Sequence, residues 1–217
     1  MRFTLGIVLS LMSINAAFAQ GPMVKTINGT VTEVAEKGRS RTLHVTDDEG
    51  NMHEFMLTPK VQVEVRAPAD DGFLRPGLFM SSSGVVTNNM LFISKVSVYQ
   101  FPKGKRPPAG KVAKARAQAG ASTNSYDITG EIASLEDVPD YPDYKGLIVK
   151  ATPRVPVMLE KNHSVTFVNL DPAALAAEQP IELEVTELRG GKLNLVKAVV
   201  ELPNAIKAED VFGTATE

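Results

Sequence analysis

The sequence predicts an all-β protein that contains two small β-barrels, and three observations support this prediction. Short apolar runs alternate with polar residues and are separated by turns that contain Gly, Asn and Asp, which is typical of half-buried strands. The run at 91–98 returns at 193–200, 102 residues later, with a Lys at the same place. Each run closes a segment that opens on another matched pair, 27–31 and 128–132. A repeat this long indicates two copies of one small domain, because solenoid repeats span only about 20–50 residues.

The first predicted barrel occupies residues 24–101. Gly29 lies in its opening strand, where a bend or bulge is expected, and Gly50 suits the turn of the following hairpin. The strands expected in this segment are 24–34, 42–46, 52–58, 61–65 and 90–99. Many short strands joined by regular turns favour a closed barrel or a sandwich, and closure would leave no exposed strand edge.

The second predicted barrel occupies residues 126–203 and repeats the order of the first. Asp171 is a good helix N-cap and Pro172 suits the first helical position, so one short helix is expected there. The expected strands are 126–135, 146–150, 155–160, 163–168, 181–188 and 193–202. Each barrel is therefore expected to contain at most one short helix.

The closing strand of each barrel is expected to alternate inward and outward residues. In the first barrel Leu91, Ile93, Val96 and Val98 should face the core, with a bulge or twist near Lys95. In the second barrel Leu193, Leu195 and Val199 should face the core.

Residues 102–125, between the predicted barrels, are expected to form a flexible linker. Proline and glycine recur in this segment, and it carries six basic residues and no acidic one, a composition typical of linkers. Lys105 and Arg106 are candidate binding residues within a basic tether for a polyanion such as lipopolysaccharide, nucleic acid or an acidic glycan. The alternative is a solvated linker that binds nothing. Residues 204–217 are expected to form a polar C-terminal tail.

The N-terminus predicts export from the cytoplasm. Arg2 precedes an apolar core at 5–12, and Ala17-Phe18-Ala19 has small residues where a signal peptidase cuts, so residues 1–19 have the plan of a secretory signal peptide. The apolar core is too short to span a bilayer, which takes about 20 residues, and no later stretch is long enough. We therefore expect a periplasmic or extracellular protein with no transmembrane segment after signal cleavage.

The composition excludes several kinds of site. The chain has no Cys, which excludes disulfides, thiolate metal sites and a cysteine nucleophile. Its net charge is −2, Trp is absent and aromatic residues make up 6% of the chain. Because single-stranded nucleic acids are usually held on aromatic platforms and basic grooves, nucleic acid is an unlikely partner for the chain as a whole.

Several short motifs resemble exported bacterial domains of the DUF5666 type, which have the five-stranded OB-fold. The resemblance implies a tandem of two OB-like barrels in the cell envelope and no particular activity, since this fold serves many functions. The second copy departs from the pattern at Gln179-Pro180, where the family has a glycine. The matching residues are Gly29-Thr30-Val31, Leu43-His44-Val45, Gly50, Leu74-Arg75-Pro76-Gly77, Gly84, Leu91 with Ile93, Gly130-Glu131-Ile132 and Leu147-Ile148-Val149.

Two groups of side chains are candidates for binding. His44 and His53 flank a hairpin turn and could bind a divalent metal with a nearby carboxylate, although the strand register decides whether they face each other. Tyr141 and Tyr144 lie in an acidic loop and are candidates for contact with a protein or glycan. That loop lacks the ligand spacing of a known calcium motif.

No pattern in the sequence indicates catalysis. The serines at 81–83 lack the G-x-S-x-G frame of a nucleophile elbow, and no phosphate-binding or dinucleotide fingerprint is present. No catalytic or cofactor-binding residue is therefore predicted. We expect a non-enzymatic binding or scaffolding protein of the cell envelope, with an unknown protein or glycan as its partner. The alternative is an envelope hydrolase whose site assembles only in three dimensions.

Overall fold

The computed structural model describes residues 24–38, 40–116, 123–188 and 190–213, and the predicted signal peptide lies outside them. The described chain is mostly strand, as the sequence predicts. Its elements are β1 (Val24–Lys37), β2 (Ser40–Asp47), β3 (Met52–Met56), β4 (Gln62–Ala69), β5 (Phe79–Thr87), β6 (Met90–Gln100), β7 (Lys111–Lys114), β8 (Ser125–Asp137), β9 (Tyr144–Lys150), β10 (Val157–Asn169), β11 (Pro180–Glu187), β12 (Leu193–Glu201) and the short helix α1 (Ala208–Phe212).

Five strands form a closed barrel. Following the pairing from strand to strand gives the circuit β6, β5, β8, β9, β10 and back to β6, with β10 and β6 parallel and every other pair antiparallel. Strands in such a circuit alternate between inward and outward residues. The inward residues form one apolar core that includes Met80, Leu91, Ile93, Ile132 and Leu159. We call this unit the closed barrel.

Six further strands form a second sheet, which packs around a core of its own. β2 pairs with β3 on one side and β1 on the other, and the sheet continues through β11 and β12 to β4. Its inward residues include Val31, Leu43, Phe55, Leu183 and Val200. Among the described residues β3 pairs only with β2, so the circuit is not completed by backbone pairing. We call this unit the open barrel.

The two barrels exchange their closing hairpins, which corrects the predicted boundaries at 24–101 and 126–203. The hairpin β5–β6 follows the strands of the open barrel in sequence but belongs to the closed barrel, and β11–β12 does the reverse. The chain crosses between barrels at two 3-10 turns, Asp71–Phe73 and Pro172–Ala174. Asp171 caps the second turn through Ala173 N, where the sequence predicts a short helix. β4 also pairs with β10, so one continuous sheet joins the two barrels.

The expected linker at 102–125 does not connect the barrels. It leaves β6 and enters β8, and both strands belong to the closed barrel. Part of it forms β7, which pairs with β8. A flexible linker between independent domains is therefore not confirmed. The physical reason is the exchange of the closing hairpins. Because of it, the chain passes from one barrel to the other at the two 3-10 turns and not at 102–125.

The C-terminal segment differs from the expected polar tail over 204–213. Val211 and Phe212 pack against the core of the closed barrel, and Ala208 is buried. The Phe212 ring lies 5.5 Å from the Phe73 ring, and the Arg75 guanidinium stands 3.8 Å above it. Apolar burial and a cation–π contact hold this segment, whereas residues 214–217 lie outside the described residues.

A β-bulge changes which residues face the core in the closing strand of each barrel. Leu91 and Ile93 are buried, and after a shift near Lys95 so are Val96 and Val98, in agreement with the alternation that the sequence predicts. The shift appears in the pairing of β5 with β6 between Ser81 and Gly84.

In β12 the prediction that Val199 faces the core is wrong. Its pairing with β11 shifts between Leu195 and Lys197. The shift turns Ala198 and Val200 inward and leaves Val199 on the outer face.

Candidate functional site

A row of polar residues crosses the outer surface of the closed barrel. The row is defined by direct cross-strand pairing over five strands, β7, β8, β5, β6 and β10. Its members point outward because their neighbours along the strands, such as Met80, Val98 and Ile128, are buried. The row consists of Lys111, Thr129, Ser81, Ser97 and Thr166. Four hydroxyl groups thus stand side by side, with an ammonium group at one end.

Four of the five row residues, all except Thr166, line a shallow concavity of about 560 Å³. Lys95 joins it, because Lys95 stands two residues before Ser97 on the same strand and so points to the same side. We call the surface formed by Lys95, Lys111 and the surrounding hydroxyl groups the lysine–hydroxyl face. Its lining residues are Ser81, Ser82, Ser83, Ser94, Lys95, Ser97, Lys111, Asp127, Ile128 and Thr129.

Hydrogen bonds orient several hydroxyl groups of this face. Ser82 Oγ donates to the carbonyl oxygen of Lys95 at 2.6 Å, across the bulge of the hairpin. Ser81 Oγ hydrogen-bonds with Tyr99 Oη at 2.9 Å. The Asp127 carboxylate is the one acidic group lining the concavity, and it accepts a bond from Ser83 Oγ at 2.6 Å. The acid is therefore engaged by a hydroxyl group rather than by a lysine.

The two lysines of the face have no acidic partner among the residues that the structure describes. Lys95 and Lys111 are both exposed. Within the part of the chain that the structure describes, neither ammonium group has a carboxylate oxygen within 4.0 Å. The Asp127 carboxylate lines the same concavity but forms no direct ion pair with either ammonium group.

The open barrel provides an internal comparison for Lys95. Lys95 precedes Ser97 by two residues, and Ser97 pairs with Thr166 in a parallel ladder. Lys197 precedes Val199 by two residues, and Val199 pairs with Glu64 in the other parallel ladder. The register therefore makes Lys197 the counterpart of Lys95, and Glu64 the counterpart of Thr166.

Glu64 neutralises Lys197 in the open barrel. Its side chain is only 7% exposed, and Oε1 accepts from Lys197 Nζ at 3.1 Å while Oε2 accepts from Arg66 Nε at 2.9 Å. Burial by itself would raise the pKa of Glu64, but the bonds from Arg66 and Lys197 outweigh it and hold that pKa below its ordinary value. Arg66 also contacts Glu201 at 2.9 Å. With Thr166 at the matching position, the closed barrel has no carboxylate there.

The surrounding residues also differ in charge between the two barrels. Ser81 pairs with Thr129 in the closed barrel, whereas Glu182 pairs with Asn28 at the corresponding place in the open barrel. A concavity of about 450 Å³ on the open barrel is lined by Glu182, Glu184, Glu201 and Asp48 together with Lys197 and Arg66. The same surface position is therefore acidic on one barrel and carries free ammonium and hydroxyl groups on the other.

The predicted metal candidates do not face each other. His44 pairs with Glu54 and His53 pairs with Val45 across the β2–β3 hairpin. Consecutive strand residues point to opposite faces, so the register places the two imidazoles on opposite faces of the hairpin. Within the described ranges no group of three or more His, Asp or Glu side chains is arranged to hold a metal ion.

His53 supports the hairpin turn. Its Nε2 lies 2.8 Å from Asp47 Oδ2, and its ring stacks on Phe55 at 6.0 Å. The His53 bond, followed by the Asn51 side-chain bond, lowers the pKa of Asp47 to about 2. This residue therefore stabilises the turn that Asp47 caps through the backbone of Glu49 and Asn51.

The other predicted binding residues belong to two segments of the chain. Tyr141 and Tyr144 lie in the acidic loop, where Tyr144 N donates to Tyr141 O at 3.0 Å, and Lys105 and Arg106 follow β6. Tyr144 packs edge-on against Phe92 with ring centroids 5.2 Å apart, so it contributes to packing. Tyr141 is 37% exposed in the acidic loop. Lys105 and Arg106 are exposed, and the segment that carries them continues to Lys111 of the lysine–hydroxyl face.

His163 is the remaining histidine, and both of its ring nitrogens are engaged. Nδ1 lies 2.7 Å from the carbonyl oxygen of Glu160, and Nε2 lies 2.9 Å from Asp71 Oδ1. A general base for hydrolysis needs a ring nitrogen turned to a nucleophile. His163 instead ties β10 to the 3-10 turn where the chain crosses between barrels.

A larger concavity, of about 820 Å³, lies between β9 and the loop at 151–156. It is mainly apolar, with Ile148 exposed at its edge. Lys150 in its wall is paired with Glu131 at 2.5 Å, which leaves Arg154 as its one lining cation without an acidic partner among the described residues. Few polar groups converge there, so the smaller lysine–hydroxyl face is the better candidate site.

Sequence reasoning noticed Lys95 only as a residue repeated at Lys197, and it did not single out Thr129 or Thr166. The useful signal was the repeat itself, because matched lysines with different partners can be compared.

Among the described residues no helix has the length and apolarity needed to cross a membrane. No family model, curated protein or solved structure matches this chain.

Proposed function

We propose that this is an exported, non-enzymatic binding protein whose lysine–hydroxyl face holds anionic groups. The observation that carries the proposal is the contrast between two matched lysines. Lys197 has the Glu64 carboxylate at 3.1 Å, and Lys95 has Thr166 in the position of that carboxylate. An anionic ligand would supply the negative charge that the closed barrel lacks.

The chemistry of the face suits oxygen-rich anions. Ammonium groups form short, charge-assisted bonds with carboxylate, sulfate and phosphate oxygens. Hydroxyl groups act as donors to the same oxygens and as acceptors for neighbouring ligand hydroxyls. Lys95 and Lys111 lie on opposite sides of the Ser81–Thr129 pair, so a ligand group between them would meet two cations and two hydroxyls.

Location and fold assignment belong to the same proposal. The signal-peptide pattern at 1–19 supports a place of action in the periplasm or outside the cell. Both barrels are proposed to be OB-like, and the supporting observation is the five-strand circuit with one parallel pair. OB-like barrels bind ligands on their outer sheet surface, which is where the lysine–hydroxyl face lies.

The test uses a small anion, a sulfated disaccharide, titrated into the mature protein and followed by amide NMR shifts. The expected shifts centre on 81–83, 94–97 and 127–129. Lys95→Gln should weaken binding by about fivefold or more, since it removes one charge-assisted contact. Lys60→Gln, the same change at an exposed lysine of the other barrel, should leave binding unchanged. Equal binding by the Lys95→Gln and Lys60→Gln variants would refute the proposal.

A further inference from the structure

The connection between β6 and β8 is an anchored basic strap. We use "basic strap" for residues 102–116. Lys111–Lys114 pairs with β8, Val112 N donates to Thr152 O at 3.1 Å, and Ala115 N donates to Ser125 O at 2.9 Å. Gly110 lies so close to β9 that a Cβ would stand 2.0 Å from the carbonyl oxygen of Lys150. The second half of the strap is therefore held against the closed barrel by backbone contacts, and the close approach at Gly110 is one that only glycine permits.

All the cations of the basic strap are exposed, and none has an acidic partner within the described part of the chain. The strap contains no Asp or Glu. Among the described residues none of its basic side chains has a carboxylate oxygen within 4.0 Å. These cations are Lys103, Lys105, Arg106, Lys111, Lys114 and Arg116. The chain as a whole has a net charge of −2. Because these cations are close together in sequence and no acidic residue lies among them, they form a local positive field.

The basic strap and the lysine–hydroxyl face share Lys111. Lys111 lies in β7 and also lines the concavity, so the positive surface continues from Lys95 through Lys111 to the strap. The eight Cα-to-Cα steps from Lys103 to Lys111 can extend over at most about 28 Å. A single anionic group would occupy only the face, whereas a chain of anionic groups could reach both.

We infer that the ligand is a linear polysaccharide that carries carboxylate or sulfate groups, held at one point by the lysine–hydroxyl face and along its length by the basic strap. This inference rests on the proposed function. The four hydroxyl groups of the row match the hydroxyl groups of sugar rings, which both donate and accept. Repeated charges on the polymer match the repeated cations of the strap.

A nucleic acid is a poorer match for the same surface. Single strands are held mainly by stacking of bases on exposed aromatic rings. Phe79, Tyr99 and Phe101 pack against one another with centroids 5.6–6.5 Å apart, and Tyr126, which pairs with Lys114, packs against the core. Phe79 is buried. The described part of the face therefore presents hydroxyl and ammonium groups without a free aromatic platform.

The test compares two ligands and two sets of variants of the full mature chain. The ligands are the sulfated disaccharide and a long sulfated polysaccharide, measured by isothermal titration and expressed per binding site. A strap variant combines Lys103→Gln, Lys105→Gln and Arg106→Gln. Its matched control combines Lys37→Gln, Lys60→Gln and Lys192→Gln, three exposed lysines elsewhere.

We expect the strap variant to lose at least about tenfold in affinity for the long polymer, with a shallower salt dependence, because fewer counterions are displaced. It should bind the disaccharide as the unmodified chain does, and the control should bind both ligands normally. Lys95→Gln should weaken the binding of both ligands.

Each contrary result identifies what has failed. If the strap variant binds the polymer as the unmodified chain does, while Lys95→Gln still binds both ligands weakly, only the polymer inference is overturned. Unchanged binding of both ligands by Lys95→Gln would overturn the proposed function as well. An oligo-thymidine of equal charge that binds as tightly as the polysaccharide would overturn the assignment to a glycan.

Discussion

Replacing Glu64 with Gln should destabilise the protein far more than replacing any exposed carboxylate. Glu64 is nearly buried at the point where β4 meets β12, and it accepts hydrogen bonds from Lys197, Arg66 and Gln62. Glu64→Gln keeps the size of the side chain and removes its charge. Two cations then lose the partner that compensates them.

The magnitude follows from how far those cations can reach water. Removing one partner of a fully buried ion pair costs about 3–5 kcal/mol, and a hydrogen bond to a charged group contributes about 1.5–3 kcal/mol. Arg66 keeps Glu201 at 2.9 Å, and the Arg66 and Lys197 side chains remain 34% and 21% exposed. We therefore expect a loss of about 2–3 kcal/mol, which is a fall in Tm of roughly 4–12 °C for a chain of this size.

Urea denaturation at pH 7 measures this loss. Glu182→Gln is the matched control, since Glu182 is exposed on the neighbouring strand and should change stability by no more than about 0.5 kcal/mol. A lowered folded pKa means that the Glu64 contribution is present above about 4.5, its ordinary value, and is lost as the pH falls through the folded pKa. The gap between parent and Glu64→Gln should shrink accordingly in acid. A Glu64→Gln loss no larger than that of Glu182→Gln would refute the ion-pair account.

Three further predictions concern the fold. Asp47→Asn should be less stable than the parent above pH 3.8, and the gap should narrow steadily as the pH falls from 3.8 towards the folded pKa of about 2; a gap that persists unchanged at pH 2 in thermal melts would contradict this. Ile93→Ala should cost about 2–5 kcal/mol in urea melts, since Ile93 is buried, and Lys95→Ala at most about 0.5 kcal/mol; equal costs would show that β6 is not a core strand. Trypsin cleavage within 103–116 should leave two fragments that elute together in gel filtration, because each barrel contains strands from both; separate elution would contradict the exchanged hairpins.

The core strands were predictable because burial follows local alternation. Leu91, Ile93, Val96 and Val98 are buried as expected, and even the shift near Lys95 was visible as a change of phase in the apolar pattern. Val199 was placed wrongly because its bulge depends on pairing with β11. A bulge leaves a clear trace only where apolar residues stand on both sides of it.

The exchange of hairpins was not predictable from one sequence. The closing hairpins of the two repeats have the same apolar pattern, so either could complete either barrel. What decides the choice is the geometry of the two crossings at 71–73 and 172–174, and local propensity carries no information on it. The prediction of two separate modules followed the order of the chain instead.

The candidate site was only partly visible for a similar reason. The strap cations stood out as a run in sequence, and the repeated lysines stood out as a match. The contrast between Glu64 and Thr166 did not, because each lies far from its lysine along the chain and reaches it only through strand register. Two histidines that flank one turn, His44 and His53, suggested a metal site, whereas the strand pairing places them on opposite faces of the hairpin.

Thr166→Glu tests the central claim most directly, because it gives Lys95 the partner that Glu64 gives Lys197. The measurement is the affinity of the mature protein for the sulfated disaccharide, with Thr166→Gln as an uncharged control of similar size. The face should lose about tenfold or more in affinity on Thr166→Glu, since the new carboxylate would both occupy Lys95 and repel the anion, while Thr166→Gln should bind nearly as the parent does. Undiminished binding by Thr166→Glu would contradict the assignment of the anion site to the lysine–hydroxyl face.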